Sequence, residues 1–214
     1  MIQVRNGVFE TNSSSVHSIC ISREQPKNPK KVIVLGFGEY EWGCDCVSSK
    51  NYLWTAILLT KSYHYDWDDK NDPDNGLYLP VPEIESHIKD VLAKYGVESV
   101  IFQYPQLKPK AKQNGKWSWS KYVDEPSIDH YGETTEFVDM CLVNDDLLAR
   151  VILNSDSVVY TGNDNGCDED DPCYSSEPVI SESLYDDDDN YIGSKTIPNP
   201  NYHPDKFDYF MKGN

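Results

Sequence analysis

Residues 82–103 read PEIESHIKDVLAKYGVESVIFQ, and one helix and one strand follow from them. Pro82 suits the first position of a helix, where the backbone N–H it lacks would have no partner. Ile84, Ile88, Val91, Leu92 and Tyr95 then recur at three- and four-residue steps, which places them on one helical face. Gly96 accepts the left-handed conformation that closes a helix. Residues 97–103 follow as a strand. An amphipathic helix feeding directly into a strand predicts a chain in which both kinds of element share one core.

Working outward, residues 134–143 and 144–153 read as two further helices, with Asn144 as a cap for the second. Residues 157–161 read as a strand, 178–192 as a hairpin folded about 186–190, and 205–211 as a last helical turn. Towards the amino end, 66–76 is a polar loop with an Asn75-Gly76 turn. Residues 51–61 read as a helix carrying Leu53, Ala56 and Ile57. The continuously apolar run 32–35 predicts a buried strand. Residues 16–21 predict another strand, and 2–10 one that bends at Gly7. The expected fold is α+β, a single domain with a mixed, irregular sheet and several helices. Residues 1–162 form its core, and 163–214 an acidic C-terminal extension packed on it or partly mobile.

The chain has 214 residues and a net charge of −17, with 36 acids against 19 bases. Such an excess repels nucleic-acid backbones and anionic membranes, so a nucleic-acid partner is not expected. Twelve acids and no lysine or arginine lie between Arg150 and Lys195. The span 99–123 reverses this, with no acid and with Lys108, Lys110, Lys112, Lys116 and Lys121 beside Trp117 and Trp119. Cations among stacking rings suit a nucleobase, but pairing with the acidic segment accounts for them as well. The sharper reading of the acidic runs is a surface that docks a basic host protein, as a mimic of DNA would. No apolar run approaches the ~20 residues that span a bilayer, and no signal-like segment opens the sequence. A cytoplasmic location is expected.

Six cysteines stand at 20, 44, 46, 141, 167 and 173. Neither Cys44-x-Cys46 nor Cys167-x5-Cys173 has the two-residue spacing of common zinc sites, so no metal is assigned. Cys20 and Cys141 lie in apolar runs and read as core residues. Other motifs fail as well. Leu35-Gly36-Phe37-Gly38 lacks the third glycine of a dinucleotide fingerprint. The calcium-loop spacing around Gly76 puts Pro82 where a glutamate belongs.

Four polar islands remain, at 9–18 (FETNSSSVHS), 37–43 (FGEYEWG), 127–132 (SIDHYG) and 153–165 (LNSDSVVYTGNDN). Ser15 and His17 share one face if the chain there is extended, a minimal nucleophile and base, with Asp129 to orient the histidine and His130 next to it. These four are the candidate catalytic residues. Asn12, Ser13, Ser14, Asn163, Asp164 and Asn165 are the candidate ligand-binding residues, because turn amides and hydroxyls accept anions. Asp129, His130 and Asp164 alternatively offer carboxylate and imidazole to a divalent metal. With these islands the chain resembles a family of proteins of low-GC Gram-positive bacteria and their phages. That family opens with Phe-Glu-Thr-Asn-Ser-Ser-Ser followed by a histidine, and later carries Ile-Asp-His and Thr-Gly-Asn-Asp-Asn-like steps. The islands cover about a sixth of the chain. The resemblance implies a phage or mobile-element origin and brings no reaction. Two functions are expected from it and from the residues together. One is a polar pocket that binds or processes a small ligand or nucleotide. The other is an acidic, non-enzymatic binding protein that inhibits a nucleic-acid-handling host system.

Overall fold

β1 (Ser15–Ser22) is the strand around which the main sheet is built. In the computed structural model, which describes residues 15–27, 29–41, 45–66, 68, 72, 74–108, 122–163 and 176–212, it alternates as an extended chain must. His17, Ile19 and Ile21 face the helices, and Ser18 and Cys20 face the opposite side. The strand order is β12–β1–β9–β4, all antiparallel, with β4 at Asp45–Ser48, β9 at Val158–Asn163 and β12 at Phe207–Lys212.

β12 corrects the expectation of a helical turn at 205–211. In the strand, Phe210 stands opposite Ile19 and its ring meets Phe137 at 5.6 Å. Tyr209 falls on the other face, opposite Cys20. Only pairing with β1, nearly 190 residues earlier in the chain, converts that short apolar and aromatic segment into a strand. The chain's last described segment therefore completes the sheet that its first described segment begins.

α1 (Ser49–Ile57) and a π-helical turn (Leu58–Ser62) run through the core. The expected stripe of Leu53, Ala56 and Ile57 is buried, but so are Tyr52, Trp54 and Thr55. A helix covered on nearly every side needs no narrow stripe. Trp54 donates its indole N–H to the Gln103 carbonyl at 2.7 Å, and its ring lies 5.0 Å from Phe102 and 5.5 Å from Tyr104.

α2 (Pro82–Ala93) buries Ile88, Val91 and Leu92, with Ile84 and Tyr95 half-buried at the margins. Gly96 ends it at φ 84°. The strand after it is β7 (Ser99–Phe102), paired in parallel with β2 (Val32–Leu35). β2 is half-buried rather than buried. Ile33 and Leu35 point inward while Val32 and Val34 are 48% and 37% exposed, because a two-stranded sheet covers one face only.

α3 (Thr135–Val143) and α4 (Asp145–Leu153) are joined by Asn144, whose side chain accepts the Leu147 N–H at 3.1 Å. Two short pairings complete the body. β3 (Glu39–Tyr40) runs parallel to β8 (Ser127–Ile128), and β5 (Tyr63–His64) antiparallel to β6 (Leu77–Tyr78). β10 (Val179–Tyr185) and β11 (Tyr191–Pro198) form the expected hairpin, and no residue of either strand is buried. The architecture is α+β, with helices and several small mixed sheets around one hydrophobic core. Cys20 and Cys141 are buried, Cys46 is exposed, and the other three cysteines lie outside the described residues. So does the expected strand at 2–10, as do residues 109–121 of the lysine- and tryptophan-bearing loop. No described helix is long and apolar enough to cross a membrane.

Arg150 on α4 closes this arrangement. It is 8% exposed, and its guanidinium reaches Asp146 at 2.9 Å, Asp208 of β12 at 2.8 Å and the Ser22 carbonyl of β1 at 3.1 Å. Arg150→Met should take this donor from the Ser22 carbonyl, leave Asp208 with Arg23 alone, and cost about 3 kcal/mol. Urea melts monitored by circular dichroism measure it, and a loss below about 1 kcal/mol would be that of an ordinary surface change.

Candidate functional site

His17 is completely buried on the helix-facing side of β1. Its Nδ1 lies 2.7 Å from the Tyr52 hydroxyl on α1, and its Nε2 lies 3.3 Å from the Glu41 carbonyl. A carbonyl only accepts, so Nε2 carries the hydrogen and Nδ1 accepts from Tyr52. Burial pushes the Tyr52 phenol far up, which keeps its proton in place to donate. Tyr40 packs its ring 5.4 Å from that of Tyr52 and hydrogen-bonds Thr55, and burial raises its pKa also. Gly38 makes room for this. A Cβ there would meet the Tyr40 ring and hydroxyl at 2.8 Å, and that ring is held from two sides.

The described parts of the four islands meet around this pair. Thr161 of the fourth stands opposite His17 in the β1–β9 register. Glu41 of the second accepts from His17 through its carbonyl and from Ser127 of the third through its carboxylate. The backbone N–H of Asp129 points at the Tyr40 carbonyl, 3.4 Å away. Ser15 and Asn163 are paired across the same two strands by their backbones. Asp129 and His130 follow β8, with Oδ1 and Nε2 at 3.8 Å and His130 in the left-handed region at φ 50°. That conformation costs a non-glycine residue about 1–2 kcal/mol and sets the ring half-exposed on the surface. Asn12, Ser13, Ser14, Asp164 and Asn165 lie outside the described residues. Among the described residues, no cluster of three or more histidines, cysteines or acids is placed to hold a metal ion.

His17 thus belongs to a satisfied internal network with Tyr52 and Glu41, two partners its sequence neighbourhood does not reveal. Tyr52 sits in a helix as one aromatic among many. Glu41 acts through its backbone, and a backbone carbonyl leaves no trace in residue type.

A different region is open and charged. Ser48 and Ser49, at the start of α1, border a cleft of about 360 Å³ together with Lys30, Lys50, Asn154 and Ser155. Ser48 forms no side-chain cap and the first turn of α1 has no acid, so neither offsets the partial positive charge of this helix start. Lys50 reaches the Val34 carbonyl at 3.0 Å. Its pKa is lowered, first by burial and then by the charge of Lys30. Eight described bases pair with a carboxylate within 4.0 Å, and Lys30 and Lys50 take no part in any of these pairs. Sequence reasoning passed over both, since Lys30 sits beside Lys31 in an unpatterned stretch and the two are brought together only by packing.

Comparison with protein-family models, with curated proteins and with solved structures returns no match.

Replacing Tyr52 with phenylalanine keeps the ring and removes the donor to His17 Nδ1. The expected loss is about 1–3 kcal/mol, the penalty for a buried acceptor left without a partner. A thermal or urea melt unchanged within error would show that the network does not bear on stability.

Proposed function

We propose that this protein binds a small phosphate-bearing ligand, of the nucleotide class, in the cleft between Lys30 and Lys50. The observation that carries the reading is the unpaired lysine couple. In a chain with nearly two acids for each base, a half-buried Lys50 whose ammonium is disfavoured by burial and by the charge of Lys30 is a cost unless an anion sits beside it. The first amides of α1 add their partial positive charge. Hydroxyl and amide groups of Ser48, Asn154 and Ser155 supply hydrogen bonds for phosphate or ribose oxygens. The volume falls within the range of small-ligand sites. The role is binding. An accessory function in a phage or mobile element is the setting that the resemblance of the 9–18 island suggests.

Calorimetric titration with inorganic phosphate and with AMP tests this. Saturable binding to the wild type should weaken about tenfold in Lys30→Gln and in Lys50→Gln, the size expected for removing one charge-assisted contact. Binding should also fade with rising pH earlier than for an ordinary lysine site, since Lys50 gives up its proton below the usual lysine value. Absence of saturable binding, or variants equal to wild type, would discard the proposal.

A second reading rests on the β10–β11 hairpin. Asp186 organises its tip, accepting the N–H groups of Asp188 at 2.9 Å and Asn190 at 3.0 Å, and these bonds lower its pKa. Asp187, Asp188 and Asp189 are left exposed, a fixed acidic surface suited to a basic host protein. Replacing these three by asparagine, with Asp186 kept, should leave the melt unchanged and slow association with such a protein chiefly at low salt. Pull-downs at two salt concentrations compare the two forms, and an unchanged set of partners would remove this reading.

A further inference from the structure

A second cavity, of about 490 Å³, is lined by Leu59, Thr60, Tyr63, Tyr65, Tyr131 and Thr135. The π-helical turn, the β5 strand and the 3-10 turn Tyr131–Thr134 bring these residues together. Tyr63 and Tyr65 hold their rings nearly parallel, 15° apart in plane with centroids at 6.3 Å. Tyr63 is backed by Tyr78 at 5.0 Å, and Tyr78 by Tyr122 at 5.1 Å, whose hydroxyl accepts the Tyr78 N–H at 2.9 Å. Tyr63 is therefore held from behind, and Tyr65 stacks against it, while the rings stay open in front. Tyr63, Tyr65 and Tyr131 are 37%, 49% and 41% exposed.

The charges around it are one-sided. Lys61, beside the lining, is neutralised by Asp139 at 2.7 Å. Glu125 has no ion-pair partner among the described residues. It lies close enough to Tyr63, Tyr78 and Tyr122 to add to the rise that burial gives their pKa values. Aromatic faces carry negative charge density, and the molecule as a whole is strongly acidic. An anion is disfavoured here, so this cavity is distinct in chemistry from the lysine cleft. A bare ammonium or a guanidinium would need acceptors for all its N–H groups. A methylated ammonium needs none and is held by ring faces and a nearby carboxylate.

We propose that the cavity bounded by Tyr63, Tyr65 and Tyr131 binds a methylated ammonium group, with Glu125 as its counter-charge. The group can come from a free choline-like molecule or from a trimethylated lysine side chain, and the chemistry of the site is the same for both.

NMR or calorimetric titration of the full chain tests the proposal. The probes are choline, its uncharged isostere 3,3-dimethylbutan-1-ol, and an N-acetylated trimethyllysine peptide beside its unmethylated form. Choline or the trimethyllysine peptide should bind about tenfold more tightly than its control, and the tighter of the two identifies the source. Tyr131→Leu should weaken binding about tenfold, Tyr131→Phe should retain it, and Glu125→Gln should weaken it severalfold. Thermal melts of the variants check that each is folded. Neither methylated probe binding more tightly than its own control, no saturable binding of either, or a folded Tyr131→Leu that binds as wild type would overturn the proposal.

Discussion

A single guanidinium joins three parts of the chain that are far apart in sequence. Arg150 sits on α4 and holds the end of β1 through the Ser22 carbonyl and β12 through Asp208. A buried cation is tolerated only when its donors are matched, and here one carboxylate comes from its own helix and one from the returning terminus. That requirement fixes where the last strand lies along β1. With the register set, Phe210 falls on the core side against Phe137 and Tyr209 falls outside. Ser157 adds a second tie at the same end, accepting the Ser22 N–H at 3.1 Å and reaching the Arg150 carbonyl at 2.9 Å. The polar groups of this corner satisfy one another, and the apolar layer above them is free to pack.

At the opposite end of β1 the same logic is applied to an imidazole. His17 stands in a column of apolar residues and is acceptable there because both ring nitrogens find partners. Its partners draw α1, the β3 region and the β8 turn towards the sheet. The clustering of the polar islands is a consequence, since the chain segments that satisfy one buried polar group must approach one another. Exposure then separates chemistry from architecture. His17 and Tyr52 are sealed, whereas Asp129 and His130 remain at the rim.

Charge is distributed by a comparable division. The acids of the 186–190 turn use one carboxylate to build the turn and present the others to solvent. Most described bases are consumed in pairs at the surface, each of small energetic consequence. Lys30 and Lys50, which take no part in that pairing, meet at the cleft before α1, and Tyr63, Tyr65 and Tyr131, all partly open to solvent, meet at the cavity beside β5. The two recesses have opposite electrostatic character on one small body, a partition that net charge alone does not reveal.

What the sequence determined is local. The helix at 82–93, the Asn144 cap, the helices on either side of it and the hairpin about 186–190 are each specified by residues within one or two turns of each other. Periodicity, capping and turn chemistry act at that range, and those elements stand where the pattern put them. The polar islands were also legible as clusters. Tertiary structure decided what depends on contacts between distant residues. The 207–212 segment became a strand by pairing with β1, and β2 was left with one open face by the smallness of its sheet. His17 acquired a hydroxyl and a carbonyl as partners from distant segments. The Lys30–Lys50 couple and the tyrosine cavity belong to the same class. Their residues are ordinary in sequence, and their chemistry arises only from the distances that packing imposes.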